Sequence, residues 1–295
     1  MRTRSFVSTP KGFTVESEDI ATVRVRIDLS YDGTRFVGWA FQPGQRTVAG
    51  VLDQALLRLF TGPLRLTVAG RTDSGVHAVG QVAHVDVHEH EWRRHERRVL
   101  WRLRGILPED VRVRGAYVVP PEFNARFSAL GRRYEYRVAD AEWGVDPLRR
   151  HDTLAYSRRL DVDAMNEAAT YLLGEHDFAA FCKRREGATT IRALRHVGWR
   201  REPDGVAVAT VIADAFCHSM VRSLVGAMLA VGEGQQEPAW LGQLLRLRQR
   251  AGNVKVAAAH GLTLAGVEYP RDAEALAARQ AETRRIRTLS GSDAP

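Results

Sequence analysis

The stretch LTVAGRTDSGVHAVGQVAHVDV (residues 66–87) holds parts of two runs, 64–69 and 81–88, in which apolar and polar residues alternate, the signature of half-buried strands. The loop between them sets Asp73 between Gly70 and Gly75, beside Arg71 and His77. A loop that only turned the chain would not need that mixture. Upstream, VRVRIDL (23–29) alternates Val23, Val25, Ile27 and Leu29 with polar residues and reads as another strand. A helix follows from about Val48 to Phe60, apolar at Leu52, Ala55, Leu56 and Leu59 and stopped by Gly62-Pro63. Downstream, EWRRHERRVLWRLRGIL (91–107) is a strongly basic helix ended by Pro108, and VRVRGAYVV (111–119) is a fourth strand. The order is βαββαβ.

The second half repeats that order without repeating the sequence. RRYEYRVA (132–139) is a strand with Tyr134, Tyr136 and Val138 on one side. DVDAMNEAATYLLG (161–174) is a helix, capped by Asp161 and stopped by Gly174. Two strands, 190–202 and 206–214, flank the hairpin turn PDG; helices at 219–232 and 238–250 and a strand at 262–269 complete the set. The fold class is α+β: two tandem ferredoxin-like, RRM-like βαββαβ domains whose antiparallel sheets meet at a central cleft. The expected divisions are a polar lead-in at 1–21, an N-terminal domain at 22–119, a C-terminal domain at 120–270 and a tail at 271–295. Pro120-Pro121 marks the boundary, and the tail reads as a surface helix that frays.

Apolar residues make up 44% of the 295 and charged residues 26%, a globular balance. No apolar run nears the roughly 18 residues of a membrane span, and the lead-in lacks the apolar segment of a secretory signal. The two cysteines, Cys182 and Cys217, form no C-x-x-C pair, so neither a disulfide framework nor a zinc site is expected, and a reducing cytoplasm is the default. The net charge of +8 suggests a polyanionic partner. Lysine occurs only at positions 11, 183 and 255, so arginine carries nearly all the basic charge. Arginine suits bidentate phosphate contacts, although GC-rich coding inflates it too.

Gly70 and Gly75 have the spacing of a phosphate-cradling loop, but Val76-His77 replaces the required Lys-Ser/Thr pair. No dinucleotide fingerprint follows a strand either, so no nucleotide cofactor is expected. Two readings of Asp73 stand: an Asx-turn bonding its own loop amides, or a carboxylate nucleophile facing cations.

At this point the residues resemble a known family. AGRTDSGVHAVGQV is similar to the signature of the tRNA pseudouridine synthase A (TruA) family. YDGTRFVGW (31–39), FNARFSALGRRYEYRV (123–138), LLGEHDFAAF (172–181) and FCHSMVRSLVGAMLAVG (216–232) resemble further family segments in the family's order. The resemblance implies isomerisation of uridine to pseudouridine at positions 38, 39 and 40 of the tRNA anticodon stem-loop, without a cofactor. It implies a homodimer with an RNA-binding cleft, and Asp73 as the nucleophile. Attack on ribose C1′, addition to uracil C6 and assistance to glycal formation all stay open for that aspartate.

By the same resemblance, Tyr134 stacks on the extruded uracil and helps remove the C5 proton, while Tyr136 reads as core. Arg222 is the basic partner of Asp73, paired across the cleft between the two domains. Arg71 contacts the displaced nucleotide, and His77 orders the loop or touches RNA. For the RNA grip the candidates are Arg126, the loop residues Lys183, Arg184 and Arg185, and Arg93, Arg94, Arg97, Arg98 and Arg102 on the basic helix. Two segments, GWAFQPGQRTVAG (38–50) and RLRGILPED (102–110), depart from the family's pattern and put RNA contacts in question. His84, Asp86, His88 and His90 fall on one strand face and could bind a metal, though a wet strand face explains them as well. The rival reading is a non-catalytic RNA-binding protein with tandem RRM-like domains; it lacks the aromatic RNP1 strand such a protein is expected to carry.

Overall fold

The computed structural model describes residues 21–183, 189–247 and 249–285. The first half runs β1 (Thr22–Tyr31), α1 (Val48–Leu56), β2 (Thr67–Val68), β3 (His77–His88), α2 (Glu89–His95), α3 (Val99–Ile106) and β4 (Val111–Val119). The second runs β5 (Gly131–Ala139), β6 (Leu154–Ala155), α4 (Val162–Thr170), β7 (Gly174–Asp177), β8 (Ile191–Arg201), β9 (Ala207–Ala213), α5 (Met220–Gly232), α6 (Trp240–Leu245) and β10 (Leu262–Glu268), followed by α7 (Ala273–Thr283).

Within the halves the strands lie in the orders β4-β1-β3-β2 and β10-β5-β9-β8, with β7 added outside β8. The expectation of two separate sheets is corrected. One continuous sheet crosses the molecule, because β10 pairs antiparallel with β5 and parallel with β3 at Thr263–His77 and Leu264–Ala78. Periodicity inside each half reports which face is buried, not which edges meet.

Local signals explain most elements. In β1, Val25, Ile27, Leu29 and Tyr31 are buried while Arg24, Arg26, Asp28 and Ser30 line the other face. Thr47 caps α1 by accepting from the Gly50 amide, and Asp161 caps α4 by accepting from Asp163 and Ala164. Helix α5 is buried on nearly every side, and Gly226 lets the Lys255 carbonyl approach it: a Cβ there would lie 1.8 Å from that oxygen. The expected basic helix at 91–107 is broken by a 3-10 turn, Glu96–Arg98, between α2 and α3. Trp92, Val99, Leu103 and Leu107 hold the segment to the core, and like-charge pairs at i,i+4, Arg93–Arg97 and Arg94–Arg98, work against one straight helix. Helix α6 likewise stops at Leu245, short of the expected residue 250.

The described part of the tail is more than a surface helix. Leu276 of α7 is buried with Ala69, Val82, Phe123 and Ala125 in a second small core. His84 lies on this side, and its Nδ1 accepts from the Ala125 amide at 3.1 Å. Burial, aided by the Arg24 cation, pushes its pKa down to about 4. The unfolded chain therefore takes up this proton near pH 6.5 and the folded chain only near 4, so stability is complete above 6.5 and declines through that window. Between pH 7 and 4.5, wild type should lose roughly 2–3 kcal/mol more than His84→Asn, which keeps an acceptor but cannot titrate. Urea unfolding at the two pH values measures this; equal losses would remove His84 from the acid response.

The other members of the histidine-bearing face are engaged separately. Asp86 forms a bidentate pair with Arg24, and the His88 and His90 rings stack with centroids 5.8 Å apart. Among the described residues no group of three or more His, Cys, Asp or Glu side chains is placed to hold a metal ion.

Candidate active site

The Asp73 loop is clamped by residues 33–39. Trp39 donates its amide to Thr72 O at 3.0 Å, and Phe36 O accepts from the Gly75 amide at 3.2 Å and from Ser74 Oγ at 3.3 Å. Two glycines permit this approach. A Cβ on Gly33 would fall on the Val76 carbonyl, and one on Gly38 would lie 2.8 Å from Thr72 O. Gly38 and Gly75 also have φ of +84° and +77°, a region that favours glycine. Below the loop, Tyr31 Oη meets Thr72 Oγ1 at 2.8 Å, and Gln81 donates to Tyr31 Oη and to Gly70 O.

So held, the Asp73 side chain is about one-third exposed and faces the start of α5. Arg222 Nη1 lies 3.7 Å from Oδ2, His218 Nε2 lies 3.4 Å from Oδ1, and Ser219 Oγ donates to Oδ2 at 3.5 Å. These partners, not the loop's own amides, account for the carboxylate, so the Asx-turn reading falls away. The structure thus brings Asp73 of the first half and Arg222 of the second within ion-pair reach. Arg222 is itself fixed, donating Nε to Ala257 O at 2.7 Å. Its contact to Asp73 is long, and the Asp73 side chain stays 31% exposed.

His218 and Ser219 were not singled out from sequence, although both lie inside the FCHSMVR block. Ser219 is the one non-glycine residue with positive φ among the described residues, at 64°. Such a conformation costs about 1 kcal/mol or more and persists where the surroundings impose it, often at functional sites. Here it turns β9's exit into α5 so that three side chains within one turn converge on a single carboxylate.

Tyr134 is buried beside this group, its ring perpendicular to Phe216 with centroids 5.2 Å apart. Its hydroxyl stands over Gly70, 4.0 Å from where a Cβ would sit. Burial, with smaller contributions from Tyr31 and Asp73, raises its pKa well above the ordinary value, so the phenol is protonated at neutral pH. Tyr136 is fully buried and donates to Ala258 O at 2.8 Å, a core role as expected.

Arg132, immediately upstream of this strand face, is the structural residue most easily missed. It is buried and its guanidinium donates to Asp214 O at 2.5 Å, Ala69 O at 2.9 Å and Arg126 O at 2.7 Å. One side chain thus ties the entrance of the Asp73 loop to the interdomain connection and to the end of β9. Arg132→Met should destabilise the fold by roughly 3 kcal/mol in urea unfolding, because three carbonyls lose charge-assisted bonds. Arg132→Lys should recover less than half, since an ammonium cannot span all three. A loss below 1 kcal/mol would show that water replaces the guanidinium.

The remaining candidates separate. Arg71 is exposed next to Asp73, with no ion pair or hydrogen bond from its side chain among the described residues. Arg126 is exposed, its guanidinium 5.0 Å from the Phe127 ring centroid, and Arg132 keeps its backbone close to the loop. His77 is 6% exposed; its Nδ1 accepts from the Gly33 amide at 3.0 Å, beside Asp32. That geometry favours loop ordering over RNA contact. Lys183 is exposed and its amide donates to His218 O at 3.0 Å; Arg184 and Arg185 lie outside the described residues.

One expectation is corrected outright. Cys182 and Cys217 are joined as a disulfide, with Cα atoms 5.7 Å apart. The 35-residue separation gave no sign that the two segments meet. The bond anchors the chain just before Lys183 to the turn that carries His218.

Comparison with known proteins supplies a family. The model of the tRNA pseudouridine synthase family matches residues 29–128 and 168–270. A tRNA pseudouridine synthase A from Frankia casuarinae is 60% identical over 266 residues, covering 90% of this chain and 96% of its own. Its counterparts from Streptomyces griseus and Mycobacterium leprae are 57% and 49% identical over 273 and 283 residues, each covering 92% of this chain. They cover 96% and 97% of their own lengths. A carboxylate presented by a glycine-clamped loop, faced by an arginine from the other half, sits inside the matched segments, and the chain belongs to the tRNA pseudouridine synthase A (TruA) family.

Proposed function

We propose that this protein isomerises uridine to pseudouridine at positions 38, 39 and 40 of the tRNA anticodon stem-loop, as a cytoplasmic homodimer and without a cofactor. The observation that carries the reading is the Asp73 carboxylate, partly exposed and ringed by Arg222, His218 and Ser219 from the opposite half. In the reaction the N1–C1′ bond breaks and a C5–C1′ bond forms; the C5 proton leaves and N1 gains one. Asp73 is the nucleophile that carries the sugar or base between those bonds. Arg222 faces it with a positive charge and orients it. Tyr134 stacks on the extruded uracil, and its protonated hydroxyl can take the C5 proton only while passing on its own, so its part is a relay.

Arg71, exposed beside the nucleophile, contacts the displaced nucleotide and offsets the few kcal/mol that extrusion costs. Arg126 and Lys183, with Arg184 and Arg185, contact the RNA backbone. His77 supports the loop from beneath. The strand orders of the halves support reading them as tandem ferredoxin-like units, 22–119 and 120–270, fused through β10. A non-catalytic RNA-binding protein would have no use for a carboxylate displayed this way. Incubating wild type with unmodified tRNA transcript and mapping pseudouridine tests the proposal: modification at positions 38–40 is expected, and its absence would favour the binding protein.

A further inference from the structure

Far from Asp73, the end of α1, helix α2, the turn Glu96–Arg98 and α3 enclose an open cleft of about 630 Å³. Four arginines line it, Arg58, Arg94, Arg98 and Arg102, against one carboxylate, Glu91. Glu91 is occupied at the rim, where it accepts from the Thr61 amide at 3.1 Å and hydroxyl at 2.9 Å. Among the described residues, Arg58, Arg94 and Arg98 have no carboxylate partner. Arg93, on the same helix, behaves differently: it pairs with Glu89 and does not line the cleft.

Arg102 donates to the His95 ring at 2.6 Å, which requires that imidazole to be neutral. Burial and the Arg102 and Arg94 cations lower its pKa accordingly. Positive charge in the cleft therefore exceeds negative, four guanidinium groups standing against the single Glu91 carboxylate. Trp101 stands at the rim, 72% exposed, with an aromatic face available to a ligand.

Strand β3 starts just after the Asp73 loop and ends at His88, where α2 begins. Helix α1 begins against the clamp of the Asp73 loop, Val48 donating to Gly38 O, and at about 1.5 Å per residue it carries the chain roughly 15 Å on to Arg58, so the cleft stands about 15–25 Å from the carboxylate, too far to hold the reacting nucleoside. Phosphates satisfy unpaired guanidinium groups, and a base satisfies an exposed indole. An acidic peptide would use the charges and leave the indole idle.

We propose that this cleft is a second RNA-binding site, holding backbone phosphates on Arg58, Arg94 and Arg98 and stacking a neighbouring base on Trp101. The identity of the RNA as tRNA rests on the function proposed above; the binding itself does not. On a tRNA spanning both sites, the cleft engages the part of the molecule remote from the anticodon stem-loop.

The test compares the full chain with R94Q/R98Q, R94K/R98K and W101A in filter binding. The ligands are unmodified tRNA transcript and a hairpin limited to the anticodon stem-loop. R94Q/R98Q should weaken tRNA binding about tenfold or more and lower the log–log salt slope by about 1.4–1.8, two phosphate contacts' worth. W101A should cost about five- to one-hundredfold, the range for removing one stacked base. R94K/R98K should keep most of the affinity, which separates charge from folding, and hairpin affinity should change by less than twofold in every variant. Unchanged tRNA affinity and slope would overturn the site, whatever other ligand then proved to use the cleft. An equal loss on the hairpin would overturn it too, as would uridine monophosphate filling the cleft without displacing tRNA. If wild type formed no pseudouridine, the proposed function would fail while these affinities still judged the cleft.

Discussion

Asp73→Asn should reduce pseudouridine formation by at least about a thousandfold, the scale on which removing a nucleophile acts. Asparagine keeps the volume of the side chain and one acceptor oxygen, so the bond from Ser219 Oγ survives. What disappears is the charge. The ion pair it loses is long, 3.7 Å, and both partners are partly exposed, so it contributes at most about 1 kcal/mol to stability. Loop position depends on Gly33, Gly38 and the Trp39–Thr72 backbone bond, none of which involves the carboxylate. The thermal midpoint and tRNA affinity should therefore stay close to wild type while single-turnover rates collapse. Turnover within tenfold of wild type would remove Asp73 from the chemistry.

Arg222→Gln should lower the single-turnover rate about a hundredfold, the usual cost of one preorganised charged group at a reacting centre. The substitution also leaves Ala257 O without its donor at a partly buried position, adding roughly 1–3 kcal/mol of destabilisation. Arg222→Lys distinguishes the two contributions. Lysine restores the positive charge but cannot bond Ala257 O through Nε while reaching Asp73 through Nη1. We expect it to recover stability partially and rate poorly. A Gln variant that unfolds more easily yet keeps its rate would reduce Arg222 to a pin for the 254–257 segment.

The sequence made the main outline readable, for reasons visible in particular residues. Alternation in residues 23–29 and 132–139 reflects burial on one sheet face, and that burial is what the structure contains. Asp73 and Arg222 could be paired in advance because the segments that carry them, AGRTDSGVHAVGQV and FCHSMVRSLVGAMLAVG, resemble the family's; the spacing of the two residues alone did not show that they meet. His218 and Ser219 gave no comparable signal, since their importance lies in a left-handed backbone position and not in residue type. Arg132 was hidden differently. Its three partners are carbonyls from segments 6, 63 and 82 residues away, and a carbonyl has no sequence signature. The Cys182–Cys217 bond and the two-residue β3–β10 pairing are long-range in the same sense. The break in the basic helix was legible in principle, because the like charges that cause it stand four residues apart.

The pairing of β10 on both sides limits how this molecule can move. Rocking one half against the other about a hinge would peel β10 from β3 or β5, tearing main-chain bonds beneath the reaction centre. The shared strand therefore couples the two halves mechanically, and the main-chain bonds on both of its edges resist that rocking.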